Sequence, residues 1–385
     1  MKRWVRVGHG AQEDAREAAS TAARAALEGP DPKLLLVYGP ADGAPPREIA
    51  DAIDEVAGGV PVIGCSATGH IGSGHRPDSG VLVIGIGGDI DVATAVGTDF
   101  NQRPRQVGEE VASALLPLPD RAHHLGLMLT DNLAGDQQEL VRGVYSVFGA
   151  TIPLVGAVAG NGVVPSPSWQ IYDGKVLQDA VVAARLSSDG PFGISIKHAW
   201  RCDGDGMIVT GSAGNQVYTL DDGPALDTFL TRHEAPAGIE YDQVAFGAFA
   251  LSRPLAVSRR GEVAVRHVVR CDPEDRSLYC AAAMPKGAAV WLATTDAEGT
   301  LMATDLACAE ALDALGDAPP QGMLVFDCAG RRGVLQYEGV KAEWFRMRDH
   351  AGGAPVAGFY GNGEIARVHG ANGFHNQTIV ACALG

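Results

Sequence analysis

Near its carboxyl end the chain carries Glu364 at the close of a glycine loop, and His375-Asn376 just before the last apolar run, Ile379 to Leu384. A carboxylate in such a loop can accept from a ligand ammonium group. The imidazole and amide can serve a polar ligand group as donor and acceptor. The plainer roles are a loop acid capping its own amides and a turn-forming asparagine. Cys328 follows the apolar run Met323 to Asp327. With His375 as base it would act as a nucleophile, which requires a thiolate and hydrogen-bond reach. A free cysteine is more often a small buried hydrophobe. Arg331 can clamp a carboxylate through two parallel hydrogen bonds, although Arg332 beside it favours a solvated surface pair. Cys65, Ser66 and Thr68 stand in an earlier glycine loop, where amides and hydroxyls can converge on an anion. His70 and His75 flank Gly72-Ser73-Gly74, and His123-His124 has no third ligand at metal spacing.

The elements that hold these residues repeat. The segment Pro355-Val356-Ala357-Gly358 is matched by Pro61-Val62-Ile63-Gly64 and Pro153-Leu154-Val155-Gly156, so a proline precedes the first glycine by three positions in every copy. An apolar strand comes before each (Leu34–Tyr38, Leu125–Thr130, Met323–Asp327) and another comes after (Val81–Ile86, Ala180–Leu186, Ile379–Leu384). Such internal similarity decides the fold class. Interrupted units of this length imply paired βα units around sheets, not a solenoid. Residues 187 to 295 change character and read as mainly antiparallel strands, Val244–Leu251 among them, with a helix at Pro224–Thr231. Val164–Trp169 reads as an extended loop and Tyr172-Asp173-Gly174-Lys175 as a hairpin turn. The expected fold is α/β: mixed sheets built from three related βαβ-type units plus a central, mainly antiparallel β region. Ligands of open α/β sheets bind at the carboxyl ends of strands. The loop Gly358–Glu364, His375-Asn376 and a turn at Cys328–Arg331 are therefore expected to converge in one pocket, with Cys65 to Thr68 approaching from the other side.

The composition excludes several classes. The chain has 385 residues, 46% hydrophobic and 20% charged, as in ordinary globular proteins. Its formal charge of −16 disfavours nucleic acid, because phosphate backbones are repelled. The amino-terminal stretch lacks an apolar core of signal-peptide length, and no run is apolar enough to span a membrane. The seven cysteines are scattered without a C-x-x-C pair, which speaks against a zinc site or a disulfide framework and for a cytoplasmic location.

The motifs Gly64-Cys65-Ser66-x-Thr68-Gly69, Val155-Gly156 through Ala159-Gly160, Tyr218-Thr219-Leu220-Asp221 with Pro224-Ala225, and Cys328-Ala329-Gly330-Arg331 carry a family likeness. So do Gly358-Phe359-Tyr360, Gly363-Glu364-Ile365 and His375-Asn376-Gln377-Thr378. With them the chain resembles the FIST family (F-box and intracellular signal transduction proteins) from about residue 28 to the end. The resemblance implies an amino-terminal module over 28–220 and a carboxyl-terminal one over 221–385. It implies a cytoplasmic sensor of a small ligand, an amino acid or a similar zwitterion or anion, acting through a separate signalling protein such as a histidine kinase or cyclase. The ligand contacts it implies are Glu364, His375, Asn376, Arg331, Cys328, Phe359, Tyr360, Cys65, Ser66 and Thr68. No cofactor or metal is expected. The alternatives are a haem-binding nitric oxide sensor and an enzyme built on Cys328 and His375. Asn161, where the family commonly has an acid, and Arg332, after the Cys-Ala-Gly-Arg motif, depart from the family pattern.

Overall fold

Pro61, Pro153 and Pro355 each open a strand in the same way. Their carbonyls accept from Leu35 N (2.9 Å), Gly126 N (2.8 Å) and Met323 N (2.8 Å) on the preceding parallel strand. Proline has no N–H, and the first position of a strand tolerates that. Three residues on, Gly64, Gly156 and Gly358 pair with Val37, Met128 and Val325. A Cβ built on any of these glycines would overlap the carbonyl oxygen of that partner. The Pro-x-x-Gly spacing is thus a rule of close strand approach, obeyed at three equivalent places.

The computed structural model describes residues 2–72, 80–132, 135–161, 167–259, 262–367 and 373–385. His75 and residues 164–166 of the extended loop lie outside them. The first unit comprises β1 (Trp4–Gly10), α1 (Ala15–Ala26), β2 (Pro32–Pro40), α2 (Pro46–Ala57), β3 (Val62–Ala67), β4 (His70–Ile71) and β5 (Val81–Gly87). The second comprises β6 (Asp91–Thr98), α3 (Pro104–Ala114), β7 (His123–Thr130), α4 (Gln137–Phe148), β8 (Leu154–Val158), β9 (Gln170–Tyr172), β10 (Lys175–Leu177) and β11 (Ala180–Ser188). The third begins with β12 (Phe192–Lys197) and is interrupted by β13 (Arg201–Ala213), β14 (Gln216–Leu220), β15 (Gly223–Pro224), α5 (Ala225–Arg232), α6 (Gln243–Ala250), β16 (Leu255–Arg259), β17 (Glu262–Arg266), β18 (Val268–Asp272), β19 (Ser277–Cys280) and β20 (Ala289–Thr294). It resumes with α7 (Ala297–Asp313), β21 (Gly322–Cys328), α8 (Ala329–His350), β22 (Val356–Gly361), β23 (Glu364–Arg367), β24 (Phe374–His375) and β25 (Ile379–Leu384).

The three units build three mixed sheets in one common order. The first runs β1-β5-β2-β3, the second β6-β11-β7-β8 and the third β12-β25-β21-β22. Each sheet is then completed by a strand from another unit. The β9-β10 hairpin of the second unit adds to β3, the β23-β24 pair of the third adds to β8, and β4 of the first adds to β22. The exchange is cyclic, and the donated strand always follows the repeat glycine.

The inner faces of all three sheets meet in one core that includes Leu36, Tyr38, Leu127, Leu129, Leu324, Phe326 and Phe359. Helices cover the outer faces: α1 and α2 on the first sheet, α3 and α4 on the second, α7 and α8 on the third. Every residue of β3, β5, β8, β22 and β25 is buried, because both faces of those strands are covered. That is why they read as unbroken apolar runs. The α/β class, the three units and the antiparallel central region agree with expectation.

The interrupting region forms an antiparallel eight-stranded sheet with its own core around Phe229 and Phe246. Two corrections apply there. Val244–Leu251 is not a strand, since α6 spans Gln243–Ala250 and the Asp242 carboxylate caps it by accepting from Val244 N and Ala245 N. Nor is Ile194–Cys202 one strand: β12 ends at Lys197 and pairs with β25 in the third sheet, while β13 begins at Arg201 in the eight-stranded one. A boundary at 220/221 passes through that eight-stranded sheet, where β13 pairs with β20 and β14 with β19. Among the described residues, no helix is long and apolar enough to cross a membrane.

Candidate functional site

The glycine loops cross one another where the exchanged strands leave their units. Thr68 N donates to Tyr360 O (2.9 Å), Gly160 N to Ser66 O (2.9 Å) and Asn362 N to Val158 O (3.1 Å). In return Tyr360 N donates to Gly69 O (2.9 Å), Ser66 N to Trp169 O (3.0 Å) and Val158 N to Gly363 O (2.9 Å). These bonds form a ring that ties each unit to the next. The loop amides expected to hold an anion are therefore already committed to carbonyls. Cys65 faces the shared core, and the Ser66 hydroxyl accepts from Trp169 N (3.3 Å). Thr68 approaches the third unit through its backbone and through Arg332, which donates to Thr68 O. The glycines are there because three backbones cross in little space.

Past the crossing, each exchanged strand places one polar residue at the same register. His70 pairs with Phe359, Gln170 with Cys65 and Glu364 with Ala157. All three are buried, and each has polar atoms without a hydrogen-bond partner: both ring nitrogens of His70, both amide atoms of Gln170, and Glu364 Oε1. Buried unpaired atoms of this kind are few in native proteins and call for an explanation.

Glu364 is the best-surrounded of the three. Its Oε2 accepts from Thr378 N (3.0 Å) and Thr378 Oγ1 (2.7 Å). Burial pushes its carboxyl up to about 8, against the Thr378 hydrogen bonds and a weaker one from the Cys328 thiol. The next residues along β24 close the corner. His375 is the Cα partner of Glu364, which places the two backbones about 5 Å apart. Asn376 is 1% exposed, and neither of its amide atoms has a partner. Gln377, in the left-handed region at φ 62°, sends Nε2 to Leu251 O (2.8 Å) and accepts from Trp200 Nε1 (3.1 Å) at its carbonyl, leaving Oε1 unpartnered.

Cys328 sits at the amino end of α8, the turn expected at Cys328–Arg331 being the first turn of this helix. Burial, and then the neighbouring Glu364 carboxylate, raise its thiol well above the ordinary range, while the Gly330 and Gln377 amides bonded to the sulfur work the other way. The base imagined for it is turned elsewhere: His375 Nε2 lies 3.1 Å from Ala366 O, and burial lowers its imidazole to about 4. A thiol held protonated beside an engaged histidine is a poor nucleophile.

Arg331 requires correction. It is not a surface residue: it is 1% exposed, with Nε and Nη2 engaged inside the fold and Nη1 without a partner. Nε reaches Asp327 Oδ1 (2.7 Å), and Nη2 reaches Glu343 Oε1 (2.7 Å) and Thr304 Oγ1 (2.6 Å). The Tyr360 hydroxyl donates to Glu343 Oε2 (2.8 Å), so Tyr360 also belongs to this interior network. Phe359 is core as well, its ring 4.5 Å from that of Tyr38 and 5.9 Å from that of Phe326. Asp327, whose carboxyl burial raises, keeps Oδ2 without a partner.

Sequence reasoning missed Thr378, Gln377, Asp327 and Glu343. A helical i,i+4 spacing from Asp327 to Arg331 was the available signal, had the segment been read as a helix. Nothing local announces Glu343, which the break at Gln336 (φ 54°, ψ −175°) inside α8 turns back toward Arg331.

Among the described residues, no group of three or more His, Cys, Asp or Glu side chains is arranged to hold a metal. His70 is buried, and His375 Nε2 lies on the Ala366 carbonyl.

Similar proteins have their own record. An uncharacterized protein of Mycobacterium tuberculosis is 26% identical over 382 residues, covering 97% of each chain. One from Mycobacterium bovis is 26% identical over 374 residues, covering 95% of this chain and 94% of its own. One from Methanocaldococcus jannaschii is 26% identical over 183 residues, covering 44% of this chain and 34% of its own. The model of the FIST N domain matches residues 33–223 and that of the FIST C domain residues 229–367. The chain belongs to the FIST family, whose domains are associated with sensing and signal transduction.

Proposed function

We propose that this protein is a cytoplasmic sensor that takes a small amine-bearing ligand at the corner formed by Glu364, Asn376 and Gln377, and passes the event to a separate signalling protein such as a histidine kinase or cyclase. The observation that supports this reading is the set of buried polar atoms without partners: Glu364 Oε1, both amide atoms of Asn376, and Gln377 Oε1. Each unpaired buried group costs about 1–3 kcal/mol. A ligand that bonds to several of them removes that cost in the bound state alone. The family resemblance supplies the ligand class, an amino acid or a similar zwitterion or anion, and Glu364 suits its ammonium group.

The corner is also placed to transmit. Glu364 lies on β23, a strand of the third unit paired into the sheet of the second. Gln377 is clasped by Trp200 and Leu251 of the interrupting region. Binding here acts on three parts of the molecule at once. It moves their arrangement only by the ligand's differential affinity for the two states. The raised Cys328 thiol and the engaged His375 weigh against the enzyme reading.

The test is a thermal-shift screen against amino acids and small carboxylates, followed by calorimetry on the wild type and Glu364→Gln. Loss of a buried charged partner costs about 2–5 kcal/mol, so affinity should fall roughly thirty-fold or more. Equal affinities in the two proteins would remove Glu364 from the site.

A further inference from the structure

We infer that the ligand held at the Glu364 corner is a simple cation, an alkylammonium or amidinium group carrying no carboxylate of its own. The inference rests on reading this corner as the ligand site and narrows the ligand class proposed above.

Here, among the described residues, four oxygens stand without a partner against two nitrogens, Asn376 Nδ2 and Arg331 Nη1. Oxygens without a partner are Glu364 Oε1, Asp327 Oδ2, Asn376 Oδ1 and Gln377 Oε1. Several nearby N–H groups are taken. Thr378 N serves Glu364, and Cys328 N serves Asp327 (2.7 Å). The Gly330 and Gln377 amides serve the Cys328 sulfur. The amides of Ser66, Thr68, Val158 and Tyr360 are held in the ring of loop crossings. Arg331 is fixed between Asp327 and Glu343, and Arg332 donates to Thr68 O with its guanidinium 5.6 Å from the centre of the Tyr360 ring. A ligand carboxylate would lie beside the carboxyls of Glu364 and Asp327, with Asn376 Nδ2, Arg331 Nη1 and the Glu364 proton as the donors left to meet it, and above pH 8 that proton is gone. Burying a charge without partners is costly. An ammonium, by contrast, brings three donors to a site of unpaired oxygens.

The exchange balances as one cation for one proton. Burial holds the Glu364 carboxyl protonated up to about pH 8. When the cation enters, the O–H bond breaks, the proton passes to solvent, and the carboxylate pairs with the cation. The groups facing Glu364 do not replace that proton. From β21 there are Asp327, whose carboxyl burial also raises, and the Cys328 thiol; from α8, Arg331, tied to Asp327 and Glu343; just before β25, the neutral Thr378 hydroxyl; from β24, His375, which burial keeps neutral.

The experiment uses matched probes on the full chain: amine, zwitterion and carboxylate on the same two-, three- and four-carbon and benzyl skeletons. Propylammonium, β-alanine and propanoate make one such set. Thermal shift and calorimetry are run at pH 7 and pH 9, in two buffers of different ionisation enthalpy. The expected result is an amine that binds at least tenfold tighter than its zwitterion, with no response to the carboxylate. Close to one proton should leave per amine at pH 7 and few at pH 9, and affinity should rise about tenfold between them. Glu364→Gln should abolish the response. Asn376→Ala should weaken it while keeping the proton release, which covers the case in which the Gln variant does not fold. A zwitterion that binds as tightly as its amine, and needs Glu364, would overturn the cation but keep the site. No Glu364-dependent binding by any probe would overturn both.

Discussion

Glu364 and His70 occupy the same place in two different units. Each heads an exchanged strand and pairs with the residue that follows the repeat glycine of its new sheet: Ala157 after Gly156, Phe359 after Gly358. Burial moves their titrations in opposite directions, the carboxyl up to about 8 and the imidazole down to about 3. Near neutral pH both stand uncharged inside the fold.

A pH dependence of stability with two arms follows. The unfolded Glu364 titrates near 4.5, so between there and about 8 the folded chain holds a proton that the unfolded chain has lost. Its contribution is complete below pH 4.5 and falls as pH rises to 8. The unfolded His70 titrates near 6.5, so its contribution is complete above that and is lost as pH falls toward 3. Glu364→Gln should therefore gain on the wild type by on the order of 3 kcal/mol between pH 5 and pH 9. His70→Gln should flatten the acid arm instead. Urea melts from pH 3 to pH 9 check both, and parallel curves for wild type and variants would refute the shared burial.

The repeat glycines should be intolerant of any side chain. Gly64→Ala, Gly156→Ala and Gly358→Ala would each drive a methyl into a carbonyl of the paired strand. Overpacking of a rigid interior costs about 1–3 kcal/mol or more. The control is Gly352→Ala, whose added Cβ meets nothing within 4 Å. Its φ of 61° alone should cost about 1 kcal/mol. Denaturation midpoints for the four variants would settle the order.

Arg331 should prove structural. Arg331→Met would leave Asp327 and Glu343 buried without their cation, at a cost of about 3–5 kcal/mol. Adding Glu343→Gln should restore part of that loss, because one uncompensated charge is gone. A variant with wild-type stability that had lost only ligand binding would return Arg331 to the site.

Asn376 should behave in the opposite way. Its amide has no partner to lose, so Asn376→Leu should leave the ligand-free protein as stable as wild type, or more so. The same variant should lose most of its ligand-induced thermal shift. A destabilised, ligand-responsive Asn376→Leu would make the residue a structural turn.

Much of this protein was legible in its sequence. Covalent chemistry sets the reach of proline and glycine, so Pro61, Pro153 and Pro355 with their glycines marked three equivalent strands before any coordinates. Unbroken apolar runs announced strands covered on both faces. The proximity of Glu364 to His375 also followed from the order of strand, loop and strand. Local pattern failed where the deciding contact was distant. The apolar run Val244–Leu251 has no period that separates strand from helix, and the Asp242 cap decided for the helix. Arg331 looked solvated beside Arg332, because the carboxylate of Glu343 is brought to it by the break in α8 at Gln336 and by packing against α7. The cyclic exchange of edge strands was the least visible of all. A two-residue strand such as His70–Ile71 has no signature of its own, and its place in another unit's sheet is set by the crossing of backbones around the shared core. The sequence thus determined the repeated units, while the tertiary structure alone decided which polar residues were buried without partners, since burial depends on what every other unit brings to the same place.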